Sequence, residues 1–235
     1  PNAQSLQMAC LIPGHYEAGM RGRIQVGSAP AVPAAVSQAF PAPLQPMVSL
    51  GYARVLEYQN LAYAQSYLQQ LNAIWDTEKK VAPDSSTWPV TEECARWLAL
   101  WMAFDDVIRV ADLKSRISRL DRVRGEVKAQ DTDLLKIYDH FKPGVPELAG
   151  LLPTRWAQGL MRWDRARMAK GQGPWALPLK IGTHSVMGML ALRLMASLKV
   201  ARPWGSRFKA EQQAIAQWTQ AVIQATQRDH ALEIG

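Results

Sequence analysis

The sequence predicts an all-α protein, a multi-helix bundle with long helices behind a Pro/Gly-rich N-terminal arm. Three observations carry that expectation. Apolar residues recur at three- and four-residue steps through most of residues 44–235. No run is read as a strand, because none alternates convincingly over five or six residues. A 235-residue chain that is 48% hydrophobic, with nine Trp and nine Met, has the apolar mass for a sizeable core.

Residues 1–43 are expected to be an arm or interdomain linker and residues 44–235 the helical domain. The first 46 residues hold seven of the 15 prolines, and the stretch from Ser28 to Ala35 shows neither a 3.6 nor a 2.0 period. An ordered arm would need a groove for Leu11, Ile12, Tyr16 and Ile24. Leu44, Val48, Gly51, Val55, Tyr58, Leu61, Leu68, Leu71 and Trp75 then mark one face of a single helix to about residue 79. Pro83-Asp84-Ser85-Ser86 reads as a turn, and Thr91 as the N-cap of the next helix, with Glu92 and Glu93 favourable in its first turn.

Trp97, Trp101, Phe104, Ile108 and Ala111 form the second stripe, which Leu113, Ile117 and Leu120 continue after a shift of two residues. A shifted stripe predicts a bend or a change of packing partner before Gly125. A short helix is expected from Gln130-Asp131 to the Lys142-Pro143-Gly144 stop, and another from Pro153 to about Lys170. Leu177-Pro178-Leu179-Lys180-Ile181 is extended at most. Residues 185–198 are apolar almost all round, with Arg193 the only charge, which predicts a central, buried helix. Ile215, Trp218, Val222 and Ala225 mark the inner face of the last helix. Trp101 and Leu194 are expected in the core, where truncation to Ala would cost about 2–5 kcal/mol.

The two cysteines, Cys10 and Cys94, form no CxxC, so the chain alone lacks the ligands for an iron–sulfur cluster or a structural zinc. Asp105-Asp106 resembles half of a magnesium–diphosphate site, but position 109 is Arg where a further carboxylate is needed. Asp105–Arg109 and Asp112–Arg116 instead have the spacing of ordinary helix ion pairs. His15, His140, His184 and His230 have no metal-ligand spacing, and no GxSxG, phosphate loop or GxGxxG occurs. No catalytic, cofactor-binding or metal-ligating residue is assigned. The low cysteine use and the lack of a leader or an 18-residue apolar run predict a cytoplasmic chain without a membrane span.

Charge is uneven. Residues 1–108 carry six Lys/Arg against nine Asp/Glu, and residues 109–235 carry 21 against 11, for a net charge of +7. Arg109, Lys114, Arg116, Arg119, Arg122, Arg124 and Lys128 lie in one run interleaved with Ile117, Leu120 and Val123. The readings are a solvated or protein-facing surface and, less favoured, a nucleic-acid-binding helix.

From about Phe40 to Leu232 the chain resembles the C-terminal helical region of the indolepyruvate oxidoreductase beta subunit family, within the 2-oxoacid:ferredoxin oxidoreductases. The resemblance rests on VLEYQNLAYAQSYLQQL (55–71), WLALWMAFDDVIRVADLKSR (97–116), IYDHFKPGVPELAGLLP (137–153), ALPLKIGTHSVMGMLALRLMASL (176–198) and GSRFKAEQQAIAQW (205–218). It implies an accessory, subunit-contacting domain of a complex that oxidatively decarboxylates aryl 2-oxoacids to acyl-CoA. Thiamine diphosphate and the iron–sulfur clusters are then expected on the partner alpha subunit, with a ferredoxin-like acceptor. The resemblance also implies a further N-terminal domain of the beta subunit, making this chain a piece of a longer one. An independent basic module binding nucleic acid or an acidic protein is the alternative.

Lys142, Lys180, Arg193 and Arg207 are the candidate anion- or partner-contacting residues, expected to share one surface. Arg193 is the sole charge on an apolar helix, so it needs a carboxylate or an anion. An internal pairing with Asp164 or Glu211 is the competing expectation.

Overall fold

The computed structural model describes residues 4–9, 21–26, 31–130 and 133–234, with side chains described from residue 31 to residue 228. Its architecture is all-α with two small antiparallel ribbons. Strands β1 (Gln4–Ala9) and β2 (Arg21–Val26) pair in the register Gln4↔Val26 to Ala9↔Arg21. This corrects the expectation of an arm without strands. Leu6/Met8 and Ile24/Val26 do alternate, over runs that the surrounding prolines and glycines obscured. Leu11, Ile12, Tyr16, Cys10 and His15 lie outside the described residues.

The helical body begins ahead of residue 44. The short helix α1 (Ala34–Ser37) buries Val36, and Phe40 follows it into the core. The expected single helix from 44 to 79 is two, α2 (Gln45–Tyr58) and α3 (Leu61–Val81). Asn60 ends the continuity: its backbone is extended and its side chain accepts the Tyr63 N–H at 2.9 Å, which makes it an N-cap. The break also moves the inner face: Tyr58 is buried, but Leu61, expected on the same stripe, is exposed, and Tyr63 and Ala64 begin the buried face of α3.

Helix α4 (Pro89–Met102) packs against both α2 and α3. Val48, Val55, Tyr67, Leu71, Leu98 and Met102 fill the space between them. Gly51 permits the close approach, since a Cβ there would lie 2.3 Å from the Tyr67 hydroxyl, which itself donates to the Ala95 carbonyl at 2.9 Å. Thr91 is not the N-cap. Pro89 occupies the first helical position, and the Glu78 carboxylate of α3 accepts the Val90 and Thr91 N–H groups (2.9 and 2.8 Å) and the Thr91 hydroxyl (2.5 Å). One carboxylate thus caps α4 from the end of α3.

The predicted bend before Gly125 is two complete breaks, giving α5 (Val107–Lys114) and α6 (Ile117–Glu126). The helix expected after Gln130 is absent from the described residues there; strand β3 (Tyr138–Phe141) pairs instead with β4 (Leu179–Gly182). Asp139 explains the preference. It is buried under Lys114 and Arg119, an arrangement that fixes one extended segment against α5 and α6. Helices α7 (Val145–Leu151) and α8 (Thr154–Ala169) follow, the latter starting directly after Pro153 as expected.

Helix α9 (Val186–Ser197) packs on α5, a 3₁₀ segment covers Leu198–Trp204, and α10 (Ser206–Ile234) closes the bundle against α3, α4 and α7. Ile215 of α10 is fully buried, with Trp218 and Val222 packed on the core, but Ala225 is exposed. No helix among the described residues is long and apolar enough to cross a membrane.

Candidate interaction surface

The helix expected to be the buried centre is an outer face. Of the α9 side chains only Leu192 is fully buried, while Val186 is 84% and Leu194 66% exposed. Leu194 is therefore not a core residue, and Trp101 is only partly buried, edge-on to Trp218 with its indole N–H donating to Glu211 at 2.7 Å. An all-round apolar sequence does not by itself say which faces of a helix the rest of the chain covers.

Local chemistry fixes how α9 is presented. Ser185 caps it, accepting the Gly188 N–H at 3.1 Å while its hydroxyl donates to the Gly182 carbonyl at 2.7 Å. The turn from β4 is so tight that a Cβ on Gly188 would sit 2.1 Å from that carbonyl oxygen. At the C-terminal end the 3₁₀ segment is clamped by Arg202. Its Nε and Nη2 donate to the Asp106 carboxylate (2.7 and 3.2 Å), and its Nη1 to the Tyr58 carbonyl (2.7 Å) and to Gln59 Oε1 (2.9 Å). The guanidinium carbon also lies 4.0 Å from the Tyr58 ring centre, and Gln59 Nε2 donates to the Lys199 carbonyl at 2.9 Å.

Asp106 has a second task, capping α5 through the Arg109 N–H at 2.6 Å. Arg202 thereby satisfies the last carbonyl of α2, that of Tyr58, and the capping carboxylate of α5 together. Burial, followed by the Asp106 charge, pushes the Tyr58 hydroxyl well above the ordinary tyrosine range. Sequence reading singled out neither Arg202 nor the capping role of Asp106. The available signals were the Gln59-Asn60 and Asp105-Asp106 dipeptides, both favourable at helix starts.

The basic run is largely neutralised from within. Arg109 reaches Glu57 (3.0 Å) and Asp112 (3.6 Å), Arg116 pairs with the same two carboxylates, and Arg122 with Glu126 (3.5 Å). Arg119 grips Asp139 with two bonds of 2.8 Å, and Lys114 pairs with it too. Partial burial raises the Glu57 carboxyl, but the bonds from Arg116 and Arg109 outweigh it and hold the group below the usual glutamate range. Asp105, expected to pair with Arg109, is exposed and makes no ion pair among the described residues.

The four candidate cations are not gathered into one cluster. Lys180 on β4 lies opposite His140, and Lys142 follows the end of β3 by one residue, so only Lys180 belongs to the ribbon itself. Both are exposed, and Lys180 covers the Tyr138 ring at 4.4 Å. Arg193 is exposed on α9, without an ion pair among the described residues. Its expected partners are engaged elsewhere, Asp164 with the Trp175 N–H and Glu211 with Trp101 and Arg207. Arg207 instead lies over the Phe104 ring and within 3.6 Å of Glu211.

Behind the 3₁₀ segment is an apolar cleft of about 370 Å³ between Ile108, Leu148, Leu151, Leu198 and Ala201, with Arg202 at its edge. His184 Nδ1 lies 2.9 Å from the Ile137 carbonyl and its ring stands edge-on to Tyr138, a structural placement. Cys94 is a buried free thiol, pushed up to about 11 by burial. No three His, Cys, Asp or Glu side chains converge as metal ligands among the described residues.

No curated protein and no solved structure matches this chain. A sequence family does: its match covers residues 44–234, from just before α2 to the end of α10, and so takes in the clamp and the α9 face together. The chain belongs to that family, described as a family of unknown function (DUF6537).

Proposed function

We propose that this chain is an accessory, subunit-contacting helical domain of the beta subunit of an indolepyruvate-type 2-oxoacid:ferredoxin oxidoreductase, with the chemistry of the complex carried by other domains. The observation that supports a contacting role is the apolar outer face of α9, built on a firmly clamped helix and left uncovered by the rest of the bundle. The five sequence stretches quoted above direct the reading to this enzyme class. In that setting thiamine diphosphate and iron–sulfur clusters belong to the alpha subunit, and a ferredoxin-like protein takes the electrons.

The alternative, a nucleic-acid-binding module, is disfavoured by the internal pairing of Arg109, Lys114, Arg116 and Arg119, which leaves few of the run's charges for phosphates. The test is co-expression of the tagged chain with an iron–sulfur, thiamine-dependent alpha subunit, scored by iron and thiamine diphosphate in the purified complex. Stoichiometric co-purification is expected. Failure to associate, together with salt-dependent retention of random-sequence DNA, would replace this reading with the alternative.

A further inference from the structure

We infer that the α9 face binds an apolar surface edged by carboxylates on a partner protein, and that Arg193 sets the register of that contact; this rests on the subunit-contacting reading above. The six apolar side chains Val186, Met187, Leu190, Leu194, Leu198 and Val200 are all exposed. The four on α9 itself, Val186, Met187, Leu190 and Leu194, present on the order of 500 Å², the size of the largest patch on a typical monomer, which is often functional. At 100° per residue, Val186, Leu190, Leu194 and Met187 fall within one arc of α9, with Leu192 roughly opposite and Arg193 at the arc's edge.

Charge decides the occupant. From residue 165 to residue 210 the chain has nine Lys/Arg and no Asp or Glu. In a symmetric pairing of two copies through this face the apposed segments are both basic, and neither offers a carboxylate to Arg193. A lipid surface is also a poor match, because interfacial helices carry their cations on the side opposite the apolar stripe. In α9 that side is packed on α5, and Arg193 is the helix's one charge. A protein surface with apolar side chains and an Asp or Glu beside Arg193 satisfies both features. The guanidinium then loses water only in exchange for a charge-assisted bond.

The experiment measures affinity of the full chain for the iron–sulfur, thiamine-dependent alpha subunit, comparing wild type with Leu190→Asp, Leu194→Asp and Arg193→Gln. Leu190 and Leu194 are exposed, so unchanged thermal melts are expected for these variants. Each aspartate should weaken binding by about tenfold or more, and Arg193→Gln should flatten the salt dependence of the affinity. Wild-type binding that survives both aspartates overturns the surface assignment and leaves the subunit-contacting reading intact. No wild-type binding at all defeats that reading, and this inference with it. Two further outcomes reassign the face: wild-type self-association that Leu194→Asp abolishes, or flotation with phosphatidylcholine/phosphatidylserine vesicles that it abolishes.

Discussion

Replacing Asp106 by Asn separates the two tasks of one buried side chain. The Asn oxygen still accepts the Arg109 N–H, so the α5 cap survives, but the Arg202 guanidinium loses its counter-ion where its side chain is 3% exposed. Removing one partner of a buried pair costs about 3–5 kcal/mol, most of it the penalty of the charge left behind. Asp106→Ala should cost about 1 kcal/mol more through the lost cap. Arg202→Met removes four hydrogen bonds, two to Asp106 and two to the α2 end, and should cost about as much as Asp106→Asn. The double variant leaves no lone buried charge, so it should be more stable than the sum of its singles by up to about 3 kcal/mol. Urea melts of the four proteins complete the cycle. In thermal melts the single variants should lose roughly 6–20 °C, at about 2–4 °C per kcal/mol for a chain of this size. Single losses below about 1 kcal/mol, or strict additivity, would refute the view that this pair clamps the 3₁₀ segment to the α2 and α5 ends.

Gly51→Ala should destabilise by about 1–3 kcal/mol in the same melts despite the better helix propensity of Ala, because the new methyl group runs into the Tyr67 ring and hydroxyl. Leu194→Ala should change stability by less than about 0.5 kcal/mol, the reverse of what its apolar helix suggests, since the side chain faces outward. The Glu57 carboxyl is held low in the folded chain, so its contribution is present above the ordinary glutamate range and lost as pH falls through the lowered value. Stability measured against pH should therefore decline on acidification in the wild type and decline less steeply in Glu57→Gln. Cys94 should react with a thiol reagent far more slowly in the native Cys10→Ser chain than in urea, because its thiol is both buried and protonated.

The periodicity of residues 44–235 was enough to determine an all-α fold, because a 3.6-residue stripe is a local property that each helix writes into its own sequence. Pro153 was legible for the same reason, setting a helix start by its own backbone. The breaks at Gln59-Asn60 and Ala103 to Asp106 were not. There the stripe runs on past the local caps Asn60 and Asp106, and what holds the two breaks together is Arg202, a residue about a hundred or more positions away that binds the end of α2 and the start of α5 at once. Glu78 capping α4, and Asp139 drawing residues 138–141 into a strand beneath Lys114 and Arg119, are the same kind of long-range decision. The sequence correctly marked α9 as apolar all round and Arg193 as its lone charge. Only tertiary structure decided that α5 covers one side of that helix and nothing among the described residues covers the other, because packing between helices far apart in sequence is not written into the periodicity of either.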